Sequence, residues 1–157
     1  MMRCFPRCFS SGGGLSAKTG SRAMMRMSGE FFDTNVILYL LDDEPKADIA
    51  AKLLEGRGTI SVQVLNEVLV NCLRKAGMSW DEAGAFLAGV RFFCDVRDLT
   101  LETHDIGQVL GARYQLSVYD AMIVAAALQA GCDRIWSEDM QHGLVIEDQL
   151  QILNPFR

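Results

Sequence analysis

The sequence lacks a long uninterrupted apolar run, although half of its 157 residues are hydrophobic. A membrane-spanning helix needs roughly 20 consecutive apolar residues. The most apolar stretch, residues 118–130, is interrupted by Asp120 and Gln129. The sequence therefore predicts a soluble protein of one domain, long enough to bury a sizeable core.

Cysteine and histidine are scarce, and neither residue type shows the spacing of a known site. The five cysteines include no Cys-x-x-Cys pair, so we expect neither a disulfide framework nor a zinc site, and a reducing cytoplasm fits this usage best. We expect Cys72 and Cys132 to lie in the core. His104 and His142 are not spaced as zinc ligands, and neither a P-loop nor a Gly-x-Ser-x-Gly elbow is present.

Basic charge is scarce beyond the N-terminus. From residue 30 onward, ten basic side chains face twenty acidic ones, a formal net charge of −10. A domain of this charge is not a nucleic-acid binder by bulk electrostatics, because such binders use basic patches to neutralise phosphates. Any role on nucleic acid would require bound cations.

Residues 1–29 differ from the rest, with five basic residues, no acid and a run of three glycines. We predict that this segment is a disordered extension and that residues 30–157 form the domain. The sequence leaves two origins open for the extension: a transit peptide, or translation upstream of a start at Met24, Met25 or Met27.

Short β-like runs alternate with helical runs from residue 30 onward, which predicts an α/β domain of three layers with a parallel sheet. Strands are predicted at residues 30–32, 58–62, 94–99, 133–136 and 150–153. Helices are predicted at residues 34–41, 46–55, 63–77, from 79 onward, 101–113 and 117–130. We expect the third helix to be closed by Gly77, the next to begin with a Ser79–Glu82 capping box, and residues 94–99 to form an edge strand.

Asp120 is the one charge in a helix that is apolar around its whole circumference from Val118 to Leu128. Such a helix is expected to be buried on nearly every face. A buried carboxylate is costly unless it is paired or binds a metal. The alternative is a structural role, in which Asp120 completes a capping box with Ser117.

Other acids follow predicted strands directly. Asp33 follows the first strand, and Glu138 and Asp139 follow the strand that ends at Trp136, with Ser137 beside them. All of them also fit helix caps or turns. The carboxyl ends of parallel strands share one edge of a sheet, where helices such as that of Asp120 begin, so these acids are expected to meet in one crevice. Clustered carboxylates stay ionised only beside a cation, and an all-oxygen site favours Mg²⁺ or Mn²⁺.

Glu67 carries the weakest pattern. Helical geometry turns it away from the apolar stripe of its own helix, so a solvated glutamate is the default interpretation, and a position lining a cleft is the alternative.

Four segments resemble the PIN-domain proteins, particularly VapC-type toxins, in order and approximate spacing. They are FFDTNVILYLL, SVQVLNEVL, SVYDAMIVAAALQAGC and IWSEDMQHG, and the resemblance covers about residues 31–153. It implies a Rossmann-like sheet of about five mainly parallel strands, a Mg²⁺ or Mn²⁺ site and metal-dependent endoribonuclease activity. It also implies an RNA substrate, a small antitoxin partner and a homodimer.

The resemblance assigns the site residue by residue. Asp33, Glu67, Asp120 and Asp139 match the four catalytic, metal-binding acids, while Asn35 and Ser137 match polar supporting positions. Glu138 is the alternative to Asp139. The alternative function is a PIN-like module that binds RNA or protein with little or no catalysis.

Overall fold

The computed structural model describes residues 29–43 and 45–157. The predicted disorder of residues 1–29 therefore falls, apart from Gly29, outside the described residues. The strands are β1 (Glu30–Phe32), β2 (Gly58–Ser61), β3 (Cys94–Arg97), β4 (Arg134–Trp136), β5 (Val145–Ile146) and β6 (Leu150–Leu153). The helices are α1 (Thr34–Leu38), which continues as a 3-10 turn (Tyr39–Leu41), α2 (Lys46–Glu55), α3 (Val62–Arg74), α4 (Trp80–Phe93), α5 (Leu101–Tyr114) and α6 (Val118–Gln129).

The strands form one mainly parallel sheet in the order β3-β2-β1-β4-β6-β5, which confirms the predicted α/β class. The sheet has six strands, in rough agreement with the expected five or so, and the additional strand β5 pairs antiparallel with β6. Two residues are too few for an alternation of apolar and polar side chains, so the sequence gives no signal for β5. The predicted edge position of β3 is confirmed.

The core is built around β1, whose Phe31 and Phe32 are fully buried. A strand buried on both faces reads as a continuous apolar run, as β1 does. Gly58 at the start of β2 allows the close approach of Phe32, since a Cβ atom there would lie 2.4 Å from the phenylalanine ring.

Helix α6 is buried over residues 121–127 but not at its start. Val118 and Tyr119 are 69% and 65% exposed, so the prediction that the helix is buried on nearly every face is wrong for its first turn. That turn lies where helices of parallel α/β folds begin, at the carboxyl edge of the sheet, beyond the strands that cover the rest of the helix.

The remaining helix boundaries follow local signals, with one difference. The Ser79–Glu82 capping box at the start of α4 is present as predicted. Helix α3 ends at Arg74, before Gly77, which adopts a left-handed φ of 64° in the turn that follows. Across residues 29–43 and 45–157, no helix combines the length and the apolar character needed to cross a membrane.

The hairpin between β5 and β6 turns on two residues that are not glycine. Glu147 and Asp148 have φ values of 49° and 54°, and the Gln149 amide donates to the Ile146 carbonyl oxygen at 3.0 Å. Turns with two positive φ values prefer glycine, asparagine or aspartate, and glycine alone adopts them without strain because it lacks a Cβ atom. Contacts of the Glu147 side chain offset the backbone strain at that residue, because its carboxylate accepts hydrogen bonds from Arg113 and Tyr114.

We expect Asp148→Gly to raise the free energy of unfolding by about 1 kcal/mol, because it relieves backbone strain. Urea denaturation measures the change. Glu147→Gly is the matched control and should gain less, because it also removes the contacts to Arg113 and Tyr114. A loss in Asp148→Gly would contradict the strain at residue 148, and equal gains in the two variants would contradict the contribution of the Glu147 contacts.

Candidate active site

The site lies where β1 and β4 end side by side. Phe32 pairs with Trp136 in the last register position, and the Asp33 amide donates to the Trp136 carbonyl oxygen at 3.0 Å. The next residues, Asp33 and Ser137, therefore lie next to each other. The chain runs from β1 to β2 and β3 on one side and reaches β4 on the other, so this edge is the switch point at which such sheets bind ligands.

Asp33 lies at the centre of the site and is only 4% exposed. Its Oδ1 accepts a hydrogen bond from the Thr34 amide at 2.6 Å, which caps α1. Its Oδ2 accepts from the Ser137 hydroxyl at 2.6 Å and from the Asn35 side-chain amide at 3.0 Å. The capping role weighed against a ligand role is therefore present, but it occupies only one of the two carboxylate oxygens.

Burial raises the pKa of Asp33 from 3.8 to about 6. The hydrogen bonds from Ser137 and Thr34 lower it, and the negative charges of Asp120 and Glu67 raise it further. Asp120 and Glu67 thus lie close enough to act on Asp33 electrostatically, and the shared sheet edge predicts this for Asp120.

Glu67 is half-buried in the structure, so the default interpretation of a solvated glutamate is wrong. Its Oε2 accepts a hydrogen bond from the Thr34 hydroxyl at 2.9 Å, and its Oε1 accepts one from Gln63. The polar face of α3 meets α1 here, and only the packing of the two helices reveals that contact.

Asp120 occupies the first turn of α6, where the helix dipole favours a negative charge. The Ser117 hydroxyl accepts a hydrogen bond from the Asp120 amide at 3.2 Å, so Ser117 caps the helix. Within the described residues, the Asp120 carboxylate returns no hydrogen bond to Ser117, and only half of the alternative capping box is formed. The half-buried carboxylate remains available to the site.

Asn35 connects Asp33 with the loop that follows β4. Its side-chain amide also donates to Asp139 Oδ2 at 3.2 Å and to Ser137 Oγ at 3.5 Å. Its Oδ1 accepts from the Glu138 amide at 3.2 Å. The Asn35 side chain thus orients both Asp33 and Asp139, which is the arrangement expected of a supporting residue.

Glu138 and Asp139 have different environments. Glu138 binds the Lys46 ammonium at 2.6 Å and the Tyr39 hydroxyl. The hydrogen bond from Lys46, followed by that from Tyr39, lowers the pKa of Glu138. Asp139 is exposed and accepts from the neutral Asn35. Because Lys46 neutralises Glu138, Asp139 is the better candidate for the fourth acid.

In residues 29–43 and 45–157, no group of three or more His, Cys, Asp and Glu side chains is already arranged to hold a metal ion. The donor set nevertheless fits Mg²⁺ or Mn²⁺, since it consists of carboxylate oxygens. Asp33 is the residue that points most directly to a cation. Burial and the charges of Asp120 and Glu67 disfavour its ionised form, and a nearby cation would stabilise that form.

Three further residues take part in the site without having been predicted from the sequence. Thr34 links α1 to Glu67, and Tyr39 and Lys46 bind Glu138. Thr34 gave a weak signal, as a polar residue directly after the strand and beside Asp33. Lys46 gave none, because its partner lies 92 positions away.

Comparison with known proteins assigns the family. The sequence model of the PIN domain matches residues 31–143. The chain belongs to the PIN-domain family. A search of curated protein sequences found no match.

Solved structures share this PIN fold at low sequence identity. A chain of the toxin–antitoxin complex from Klebsiella pneumoniae aligns with a TM-score of 0.64 and 18% identity, covering 82% of this chain and 98% of that one. A chain of DNA-bound VapBC from Salmonella typhimurium aligns with a TM-score of 0.63 and 18% identity, covering 82% of this chain and 99% of that one. The sarcin-ricin loop cleaving toxin of Mycobacterium tuberculosis aligns with a TM-score of 0.59 and 20% identity, covering 71% of this chain and 90% of that one. These likenesses show a common fold.

We expect Asp33→Asn to change how the stability of this PIN domain depends on pH. A raised carboxyl pKa means that the folded state binds the proton more tightly, so the stabilisation is complete below 3.8 and is lost as the pH rises through about 6. The shift corresponds to roughly 3 kcal/mol at neutral pH. Asparagine carries no such charge. Wild type should therefore lose about that much stability relative to Asp33→Asn between about pH 4 and pH 7.

Urea denaturation in EDTA at several pH values measures this difference, with Asp105→Asn, at an exposed acid on α5, as the control. If the unfolding free energies of the wild type and of Asp33→Asn run parallel across that pH range, ionisation of the buried Asp33 carboxylate does not destabilise the fold as predicted.

Proposed function

We propose that this PIN domain is a metal-dependent endoribonuclease that hydrolyses RNA phosphodiester bonds. The supporting observation is Asp33, a buried carboxylate near two other acids at the switch point of the sheet. Its hydrogen-bond partners among the described residues are Thr34, Asn35 and Ser137, and none of them carries a positive charge. Such a group is typical of a metal-binding site in which a cation balances the charge.

Asp33, Glu67, Asp120 and Asp139 would hold the ion. When bound, Mg²⁺ or Mn²⁺ would neutralise charge on the scissile phosphate and make a water molecule more acidic. No three of these groups converge yet, so binding requires the carboxylates to move toward a common point. Asp33 is buried and accepts three hydrogen bonds, whereas Asp120, the half-buried Glu67 and the exposed Asp139, of which the last two accept hydrogen bonds from Thr34 and Asn35, have more room to adjust.

Side chains of the protein orient the carboxylates and take part in proton transfer. Asn35 and Ser137 hold Asp33 and the Ser137–Asp139 loop in place, which keeps the carboxylates oriented for the reaction. The exposed Asp139 would accept a proton from the attacking water. Attack on phosphorus breaks the bond to the 3′ oxygen, so the products should carry a 5′ phosphate and a 3′ hydroxyl.

We expect Asp33→Ala and Asp120→Ala each to lower RNA cleavage in Mn²⁺ by at least about a hundredfold, because each removes a carboxylate from the cation site. Cleavage of a set of defined RNAs, followed by analysis of the product ends, measures the effect. EDTA should abolish cleavage by the wild type.

Asp105→Ala controls for the loss of an acid outside the site. Cleavage that survives in EDTA, or in both site variants, would exclude the proposed mechanism. RNA binding by a wild type that does not cleave in Mn²⁺ or Mg²⁺ would favour the alternative, a binding module.

A toxin role and a small antitoxin partner form the second part of the proposal. Two of the similar structures are described as a toxin–antitoxin complex and as VapBC. In this chain, an apolar groove of about 330 Å³ lies between the 3-10 turn, α2 and α4. Its lining residues include Leu40, Leu54, Phe86, Val90 and Phe93. Such a groove suits the apolar face of a short partner helix.

The groove gives a matched pair of variants. Ala85 and Ala88 are both exposed alanines on α4, but only Ala85 lines the groove. With a small protein encoded beside the gene as co-expressed partner, Ala85→Glu should abolish co-purification, because it puts a charge into the apolar contact, and Ala88→Glu should retain it. Equal retention in both variants would place the partner elsewhere. No complex with the wild type would contradict the antitoxin proposal while leaving the nuclease proposal intact.

A further inference from the structure

Lys46, the first residue of α2, lies at the edge of the site inside a small aromatic cluster. Its ammonium group binds Glu138 Oε1 at 2.6 Å and the Tyr39 hydroxyl at 2.9 Å. It also lies 4.3 Å from the centre of the Tyr39 ring and 5.4 Å from that of Phe156. The two rings pack edge to face at 4.7 Å. Lys46 is thus held by several contacts, unlike a freely solvated surface lysine.

The contacts of Lys46 and Tyr39 account for both oxygens of Glu138. Lys46 binds Oε1, and the Tyr39 hydroxyl donates to Oε2. The Glu138 amide meanwhile donates to Asn35, whose side chain donates to Asp33 and Asp139. The loop that carries Asp139 is therefore held at its backbone by Asn35 and at its neighbouring side chain by Lys46.

The charge of Lys46 has a further consequence for the acids. Without this ammonium group, the Glu138 carboxylate would keep, of its partners among the described residues, only the neutral Tyr39 hydroxyl and would be a second uncompensated negative charge directly beside Asp139. Like charges repel, so the freed Glu138 would disturb the position of Asp139 and could replace it as the ligand of a cation. Glu138 and Asp139 are adjacent in the sequence, so which of them serves as the fourth acid depends on the contacts that hold each side chain.

We propose that Lys46 is a positioning residue that selects Asp139 as the fourth acid, because it keeps Glu138 out of the acid cluster and fixes the Ser137–Asp139 loop. Tyr39 assists through its bond to the second oxygen of Glu138. This inference rests on the proposed function, since it concerns the same cation site. It assigns Lys46 a role through Glu138 and no contact with RNA.

The first measurement uses Mn²⁺ alone, by titration calorimetry without RNA. We expect Lys46→Met to weaken Mn²⁺ binding by about tenfold, the effect typical of a group that orients a metal ligand, because the lost orientation of the Ser137–Asp139 loop costs more than the freed negative charge of Glu138 returns. Lys46→Arg should retain most of the affinity, because it keeps the charge. Lys52→Met, at an exposed lysine on the same helix, should match the wild type.

Glu138→Gln tests whether Lys46 acts through Glu138. Once Glu138 carries no charge, removal of Lys46 should cost much less, so Lys46→Met combined with Glu138→Gln should bind Mn²⁺ more tightly than Lys46→Met alone. Additive losses would overturn the inference, since they would mean that Lys46 acts independently of Glu138. If Lys46→Met does not fold, Tyr39→Phe should show a smaller loss in the same direction, again relieved by Glu138→Gln.

RNA kinetics separate positioning from substrate contact. At saturating Mn²⁺, Lys46→Met should lower kcat and leave KM for RNA within about twofold, because the RNA contacts remain. A rise in KM with unchanged Mn²⁺ affinity would show a direct phosphate contact and overturn the inference. The Mn²⁺ titrations decide the role of Lys46 even if no RNA is cleaved. A wild-type chain that binds no Mn²⁺ would overturn it whether or not RNA is cleaved.

Discussion

The burial of the Asp33 carboxylate is the constraint on which the site depends. The pairing of β1 with β4 carries Asp33 to the edge of the sheet but leaves it 4% exposed. An ionised group in that position requires either hydrogen-bond donors or an opposite charge. The structure supplies donors from Thr34, Asn35 and Ser137, and the negative charges of Asp120 and Glu67 still act against ionisation. The supporting residues therefore orient the carboxylate without balancing its charge, which leaves a role for a cation.

Most of the fold could be predicted because its signals are local. The continuous apolar run of β1, the Ser79–Glu82 capping box and the alternation of helices and strands each depend on residues that are near in sequence. The failures concern what local pattern does not contain. The two-residue strand β5 exists through its pairing with β6, and the first turn of α6 is exposed because it lies at the edge of the sheet. An apolar residue in the sequence reports its preference for burial, not whether a neighbouring element covers it.

The site was predictable to the extent that topology placed it. Residues that follow parallel strands must share an edge, which predicts that Asp33, Ser137 and Asp139 lie on the same side of the sheet, while their direct proximity depends on the pairing of β1 with β4. The different environments of Glu138 and Asp139 do not follow in this way. Adjacent residues share the same backbone location, and only the partners of their side chains distinguish them. Those partners, Lys46 and Asn35, belong to α2 and α1, about a hundred residues earlier in the chain.

The acidity of the domain bears on how such a site would handle RNA. From residue 30 onward the formal net charge is −10, so the surface repels phosphate at long range and offers little non-specific affinity. Lys46, a cation at the edge of the site, is already bound to Glu138 and so does little to offset this repulsion. Under the proposed function, productive binding would therefore depend on the cation at the carboxylates and on a few short-range contacts around the sheet edge. Weak general attraction raises selectivity, because an RNA that lacks those contacts gains too little free energy to remain bound. The charge that argues against bulk nucleic-acid binding is thus compatible with a nuclease of narrow substrate range.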